Sequence, residues 1–140
     1  MEKKTFTEKD LIEKALEARK KAYVPYSHFA VGAALLAENG RVYTGCNIEN
    51  ATFTPTICAE RTAFFGAVAG GVRKFTAIAV VGGKEEEEPR GECPPCGVCR
   101  QVMREFCDDD FKIILGTPEN FRVYKLTEIL PLSFSVKNIQ

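Results

Sequence analysis

Cys58-Ala59-Glu60 and Pro95-Cys96-Gly97-Val98-Cys99 are the two segments of this sequence that carry the most chemistry. Apolar periodicity predicts that each segment opens a helix, the first over about 58–69 and the second over about 96–106. A helix N-terminus carries unpaired N–H groups and partial positive charge, which lower the pKa of a thiol and favour the metal-binding thiolate. The cysteines of these segments can therefore reach one metal ion from two helix starts.

The number of sulfurs indicates which kind of metal site this is. Three protein ligands leave one position of a tetrahedral zinc ion open, which is typical of catalytic rather than structural zinc. Glu60 stands two residues after the first sulfur, so it could face the open position without binding the ion. Three thiolates would leave the ion a poor Lewis acid, and Arg61 is placed to offset the excess charge by hydrogen bonds to the sulfurs.

Two other interpretations of the cysteines remain open. The spacing of Cys96 and Cys99 is also that of a thioredoxin-type redox pair, although this leaves Cys58-Ala59-Glu60 without a role. Cys93 is close enough in the sequence to act as a fourth ligand, which would make the zinc structural. The cysteines away from these segments, Cys46 and Cys107, are interpreted as small buried residues or as residues without a role in the site.

The remaining segments predict an α/β chain. Thr7 and Asp10 resemble a capping box ahead of apolar residues at helical spacing, so the first helix should begin near Thr7. Phe64 and Phe65 are expected in the core. Apolar runs predict five strands, over 28–37, 41–47, 75–81, 111–115 and 122–126. A short last helix is predicted over 127–130. Strands alternating with helices after an opening hairpin favour a mixed sheet covered on both faces.

Composition limits the class of protein. The 140 residues fit a single domain over 1–140, and 19 basic residues balance 19 acidic ones, which argues against nucleic acid or anionic lipid as partners. No apolar stretch is long enough to span a membrane. The charged start Met1-Glu2-Lys3-Lys4 has no apolar core of a signal peptide, so we expect a cytoplasmic protein. In a reducing compartment, six cysteines are more typical of metal ligands, catalytic groups or buried residues than of a disulfide framework. A single histidine, His28, excludes a His-rich metal site, and His28 is assigned no catalytic role.

Five segments, in order along nearly the whole chain, resemble the small, homotetrameric, three-cysteine type of the cytidine deaminase family. The segments are Pro25–Leu35, Gly45–Ala51, Cys58–Ala63, Pro95–Val102 and Leu130–Phe134. Cys-Ala-Glu followed by Pro-Cys-x-x-Cys is a signature of zinc deaminases. The resemblance implies a three-layer α/β/α sandwich with a five-stranded mixed sheet. The sequence departs from the family pattern at Cys93 and Pro94, where small polar residues are more usual, and in an acidic loop over 85–90.

The resemblance also implies roles for individual residues. Glu60 would be the catalytic proton shuttle between water, N3 of cytosine and the leaving amino group. Asn47 and Glu49 would hydrogen-bond the ribose hydroxyls. The implied ligands of one zinc ion per subunit are Cys58, Cys96 and Cys99. The residues implied around the base are Phe29, Ala59 and Phe134. Of these, Phe134 would close the pocket of its own or a neighbouring subunit.

The implied activity is the zinc-dependent hydrolytic deamination of cytidine and deoxycytidine to uridine and deoxyuridine, with release of ammonia, in pyrimidine salvage. A homotetramer with active sites near the subunit interfaces is also implied. Two alternatives stay open: a zinc deaminase for another aminated nucleoside or base, and a non-catalytic binding module stabilised by zinc. A fourth sulfur on the metal would favour the binding module.

Overall fold

The computed structural model describes residues 5–140, so the charged start Met1–Lys4, on which the expectation of no signal peptide rests, lies outside the described residues. Its elements in chain order are α1 Glu8–Arg19, β1 Phe29–Ala37, β2 Val42–Cys46, α2 Ala59–Ala69, β3 Phe75–Lys84, α3 Gly97–Phe106, β4 Lys112–Thr117, β5 Asn120–Lys125, α4 Leu126–Ile129 and a 3₁₀ helix Val136–Asn138. Within the described part, no helix combines the length and the apolar character needed to cross a bilayer.

The five strands form one mixed sheet in the order β2-β1-β3-β4-β5. The central strand β3 pairs antiparallel with β1 and parallel with β4, and the outer pairs β1–β2 and β4–β5 are antiparallel. Only the parallel pair needs a crossover, and α3 lies in the chain between β3 and β4. The predicted five-stranded mixed sheet is confirmed.

Helices cover both faces of this sheet. Ile78 and Val80 of β3 pack in one cluster with Phe64 of α2 and Met103 of α3. The alternate residues Ala77, Ala79 and Val81 face the other side, in a cluster with Leu11, Ile12 and Ala15 of α1. Both faces of β3 are therefore buried, which explains its continuous apolar run and confirms the α/β/α arrangement.

The first helix begins where the sequence predicts. The Thr7 hydroxyl accepts a hydrogen bond from the Asp10 N–H at 3.1 Å, and the Asp10 carboxylate accepts one from the Thr7 N–H at 2.9 Å. This reciprocal capping box satisfies two of the N–H groups that an α-helix leaves unpaired at its start.

Two predictions need correction. Phe65 is 46% exposed, whereas Phe64 beside it is fully buried, because consecutive residues of a helix point about 100° apart and only one can face the sheet. The third strand does not end at Val81 but continues to Lys84. Gly82 and Gly83 do not break it, since β1 pairs with β3 as far as Phe29 opposite Lys84.

Gly45 sets how closely β2 approaches α2. A Cβ atom at Gly45 would lie 2.4 Å from the Ala59 carbonyl oxygen and 2.6 Å from the Ala63 nitrogen. Both are helix backbone atoms, which cannot rotate away as a side chain can. The first turn of α2, which follows Cys58, is therefore held against the sheet by the absence of a side chain at Gly45.

A Gly45→Ala variant is expected to lose about 3 kcal/mol of stability, because the added methyl group must push α2 away from β2. This corresponds to a melting temperature lower by about 10 °C, measured by circular dichroism at fixed protein concentration. Gly91→Ala is the matched control, since a Cβ at Gly91 would meet no atom within 4 Å. Equal melting temperatures for the two variants would contradict the packing argument.

Candidate active site

The sulfurs of Cys58, Cys96 and Cys99 come together at the start of α2 and α3. All three Sγ atoms lie within 4.8 Å of one another, and residues 5–140 hold no other such group of three or more His, Cys, Asp or Glu ligand atoms. Cys58 is the N-cap residue of α2 and Cys96 that of α3, and neither thiol makes a cap hydrogen bond. The two helix starts therefore direct sulfurs at one point, as the sequence predicts.

The separation of the sulfurs fits one metal ion. Two thiolates on a tetrahedral zinc ion, with Zn–S bonds of about 2.3 Å, stand about 3.8 Å apart. The Sγ atoms of Cys58 and Cys96 are 3.8 Å apart. Three soft thiolate donors suit zinc better than hard cations such as magnesium or calcium. The donor set and its spacing thus fit zinc.

Cys93 does not belong to this group. Its sulfur is absent from the cluster found among the described residues. It lies instead over β3, where a Cβ atom added to Gly82 would be only 2.6 Å from it. Burial, together with the negative charges of Glu60 and Cys58, raises the pKa of Cys93 to about 11, which favours the neutral thiol over the metal-binding thiolate. This placement speaks against a zinc site closed by a fourth sulfur.

Hydrogen bonds within the cluster favour negative charge on one sulfur. A hydrogen bond from the Cys99 thiol and one from Arg61 lower the pKa of Cys58 to about 5. The bond to Cys58, together with burial, raises the pKa of Cys99 well above its usual range. The structure places Arg61 Nη2 3.3 Å from the Cys58 sulfur, the contact that the sequence suggested. Arg61 can therefore offset thiolate charge.

Glu60 is the one charged residue that is buried in the described part of the chain, with 4% of its surface exposed. Burial, with a contribution from the negative charge of Cys58, raises the pKa of its carboxyl group to about 7. A carboxyl group with such a pKa can both accept and donate a proton near neutral pH, as a general acid–base group must. Its position in the first turn of α2 keeps it next to the sulfur cluster.

Backbone pairing brings Asn47 and Glu49 alongside this cluster. Ile48, between them, exchanges two hydrogen bonds of 3.0 Å with Ile57, the residue before Cys58. The sequence segment 47–49 therefore runs next to the chain that enters α2.

The side chain of Asn47 links this segment to β1. Its Oδ1 accepts a hydrogen bond from the Val31 N–H and its Nδ2 donates one to the Phe29 carbonyl oxygen, both at 2.9 Å. The Phe29 ring remains 42% exposed. Asn47 thus fixes the start of β1 and with it the position of Phe29.

Glu49 is held as a carboxylate. Its Oε1 accepts hydrogen bonds from the N–H groups of Tyr26 and Ser27 at 3.0 and 3.1 Å. Hydrogen bonds from the Ser27 side chain and from these N–H groups lower the pKa of Glu49. A cavity of about 330 Å³ opens beside it, lined also by Phe53 and Thr56. A cavity of this size is in the range that binds small molecules.

The other predicted residues are placed as follows. Ala59 is fully buried as the first residue of α2, and Phe134 is 62% exposed on the C-terminal tail. His28, assigned no catalytic role, is exposed, with Nδ1 3.5 Å from a Glu85 carboxylate oxygen. Sequence reasoning assigned no role to Arg100 and Gln101, whose side chains donate hydrogen bonds to the carbonyl oxygens of Ile129 and Phe134. Those contacts span about 30 residues of chain, so no local pattern indicates them.

Comparisons with known proteins agree with this geometry. The family described as "Cytidine and deoxycytidylate deaminase zinc-binding region" matches residues 6–115. A cytidine deaminase of Sporosarcina psychrophila is 51% identical over 133 residues, 92% of each chain. A crystal structure of cytidine deaminase from Burkholderia pseudomallei superposes with a TM-score of 0.83 at 47% identity, over 92% of this chain and 100% of the other. A blasticidin-S deaminase of Bacillus cereus is 31% identical over 90% of this chain and 91% of its own.

Proposed function

Since the chain belongs to the cytidine and deoxycytidylate deaminase family, we propose that it converts cytidine and deoxycytidine to uridine and deoxyuridine with a zinc cofactor. The observation that carries this proposal is the cluster of three sulfurs with a buried Glu60 beside it. Three sulfur ligands would leave one position of a zinc ion open, and Glu60 is the group beside them that can accept and donate a proton.

In the proposed reaction, water adds to C4 of the base, and the C4–N bond breaks. Cys58, Cys96 and Cys99 would hold the zinc ion. When bound, zinc supplies a Lewis acid that lets water lose a proton near neutral pH. Glu60 accepts that proton and passes it to N3 of cytosine, which makes C4 electrophilic.

Glu60 then carries the second proton of that water, from the hydroxyl group added at C4, to the amino group, so that the leaving group is ammonia rather than an amide anion. The reaction therefore consumes one nucleoside and one water molecule and releases the uridine form of the nucleoside and one ammonia molecule. Arg61 withdraws charge from the Cys58 sulfur, to which it donates a hydrogen bond of 3.3 Å.

The substrate-binding roles rest on where the side chains lie. We assign Asn47 and Glu49 to the ribose hydroxyls, since an amide and a carboxylate can accept hydroxyl hydrogen bonds and both residues run beside the entry to α2. Phe29 offers an exposed ring for the base, and Phe134 offers a second one on the tail. We also assign Ala59 to the substrate site, because it stands in the chain between Cys58 and Glu60.

We also propose a homotetramer with active sites near the subunit interfaces. Large apolar side chains stay exposed, among them Phe53 at 69%, which lines the cavity beside Glu49, and Leu132, which is fully exposed. Clusters of exposed apolar side chains mark interaction surfaces. Light scattering should give a mass about four times 15.5 kDa. A monomeric mass at micromolar concentration would contradict this.

A cytoplasmic location and a role in pyrimidine salvage complete the proposal. All six cysteines are free thiols, which is the usual state in a reducing compartment. The products of the reaction are nucleosides that salvage enzymes use.

A second candidate is deamination of another aminated nucleoside, which the likeness to blasticidin-S deaminase favours. The deciding experiment incubates the zinc-loaded protein with cytidine, deoxycytidine and blasticidin S. Loss of the amino group is followed by ultraviolet absorbance, with released ammonia as a second measurement. Rapid conversion of the two cytidines is expected. Conversion of blasticidin S alone would replace the first candidate by the second, and no conversion with zinc bound would favour a binding module.

A further inference from the structure

Two neighbouring side chains of α3 hold the C-terminal tail, residues 130–134, at its two ends. Arg100 Nη1 donates a hydrogen bond of 2.6 Å to the carbonyl oxygen of Ile129, just before the tail. Gln101 Nε2 donates one of 2.9 Å to the carbonyl oxygen of Phe134, the last residue of the tail. The tail is thus tied twice to the helix that carries Cys99.

Arg100 also contacts the segment that enters the metal site. Its Nε donates a hydrogen bond of 2.8 Å to the carbonyl oxygen of Pro95, the buried residue directly before Cys96. One planar guanidinium group therefore joins the approach to the sulfurs with the start of the tail. Hydrogen bonds from a charged donor are stronger than those between neutral groups, and the fork of Arg fixes their directions.

The backbone between the two anchors is strained. Leu132 has φ 52°, in the left-handed region that branched side chains rarely adopt, and its side chain is fully exposed. Such a conformation persists where the surrounding structure holds both ends of the segment. The bonds of Arg100 and Gln101 supply this constraint, and the bend at Leu132 sets where Phe134 lies.

We propose that Arg100 and Gln101 are positioning residues that hold the pocket-closing tail, and Phe134 on it, at a defined place relative to the sulfurs of α3. The proposal rests on the proposed function, since it takes Phe134 as part of the nucleoside pocket. Gln101 acts on Phe134 alone, whereas Arg100 acts on both the tail and the approach to Cys96.

A Gln101→Met variant separates positioning from general stability. Methionine keeps the length and helix propensity of glutamine but cannot donate the hydrogen bond to Phe134. The KM for cytidine should rise about fivefold, the change expected for the loss of one neutral hydrogen bond. The kcat should stay within about twofold, because the side-chain hydrogen bond of Gln101 goes to Phe134 and not to Pro95 or a sulfur. Zinc content and melting temperature should match the wild type.

Arg100→Met should change two properties together. The KM for cytidine should rise by about tenfold, since the charged hydrogen bond to Ile129, the residue directly before the tail, is lost. Zinc should also leave faster under a chelator, because the carbonyl of Pro95 loses its partner. Glu105→Gln is the matched control on the same helix, an exposed residue whose change should alter none of these values.

A measurement without substrate tests the anchor directly. The chain has no tryptophan, so Phe134→Trp introduces a single tryptophan on the tail, which can be excited selectively over the four tyrosines. Acrylamide quenching of this fluorophore should rise about twofold when Gln101→Met is added, and not when Glu105→Gln is added.

Three results would overturn parts of the proposal. Equal quenching with and without Gln101→Met would show that no anchor exists. A parallel loss of kcat, zinc and melting temperature would show that Gln101 only supports the fold. A wild-type chain that deaminates neither cytidine nor deoxycytidine would defeat the proposed function, while the quenching result would still decide whether the tail is anchored.

Discussion

A Glu60→Gln variant is expected to bind zinc as the wild type does and to lose about four orders of magnitude in kcat with cytidine. Glutamine has nearly the same shape as glutamate, but its amide cannot accept the proton of water or return it to the base. Glu60 is also the one buried charge in the described part of the chain, so removing it should not lower stability.

The measurement is the rate of absorbance change with saturating cytidine, together with zinc content by mass spectrometry. The control is Glu13→Gln, which makes the same chemical change on α1, a helix on the opposite face of the sheet from α2. The control should keep full activity. A Glu60→Gln variant that retains more than about a tenth of the wild-type kcat would sink the proposed proton shuttle.

A Cys99→Ser variant should have the largest effect on the metal. Serine has nearly the size of cysteine, but its hydroxyl group does not ionise near neutral pH and is a poor zinc ligand. Structural zinc sites bind with about 10–16 kcal/mol shared among their ligands, so one lost sulfur should weaken binding by about 10²–10³-fold. Competition with a chromophoric chelator measures this change, and activity should fall with zinc occupancy.

Cys93→Ala is the control that distinguishes the open site from a closed one. Its sulfur packs over Gly82 and is absent from the three-sulfur cluster, so removing it should leave zinc affinity and activity near wild type. Loss of zinc in Cys93→Ala would make Cys93 a fourth ligand and favour the binding module. Retention of zinc in Cys99→Ser would contradict the proposed ligand set.

Local sequence signals account for most of the secondary structure. The capping box of Thr7 and Asp10, the apolar run of β3 and the glycines after α2 each act over a few residues, so their effect can be inferred without tertiary structure. Predictions failed where pairing with a distant segment overrides local preference. β3 continues through Gly82 and Gly83 because β1 pairs with it, and Phe65 is exposed because the sheet lies on the other side of α2.

The donor set of the site was also present in the sequence, because ligand chemistry depends on residue type and spacing. Two cysteines three positions apart at a helix start can face one point, and a Glu two positions after a third cysteine stays in the first turn of its own helix. Family resemblance added Asn47, Glu49 and Phe29, which spacing alone would have left as ordinary residues.

Only the tertiary structure decided where these groups point. Arg61 contacts the sulfur of Cys58, the N-cap residue of its own helix. The position of Cys93 outside the three-sulfur cluster depends instead on the path of the loop that carries its sulfur over Gly82. Arg100 and Gln101 meet the tail about 30 residues away, and that contact depends on how β4, β5 and α4 return the chain to α3. Residue type and spacing determine which chemistry is available, because they act locally; the packing of distant segments determines which side chains surround it, because contacts between them exist only once the sheet has formed.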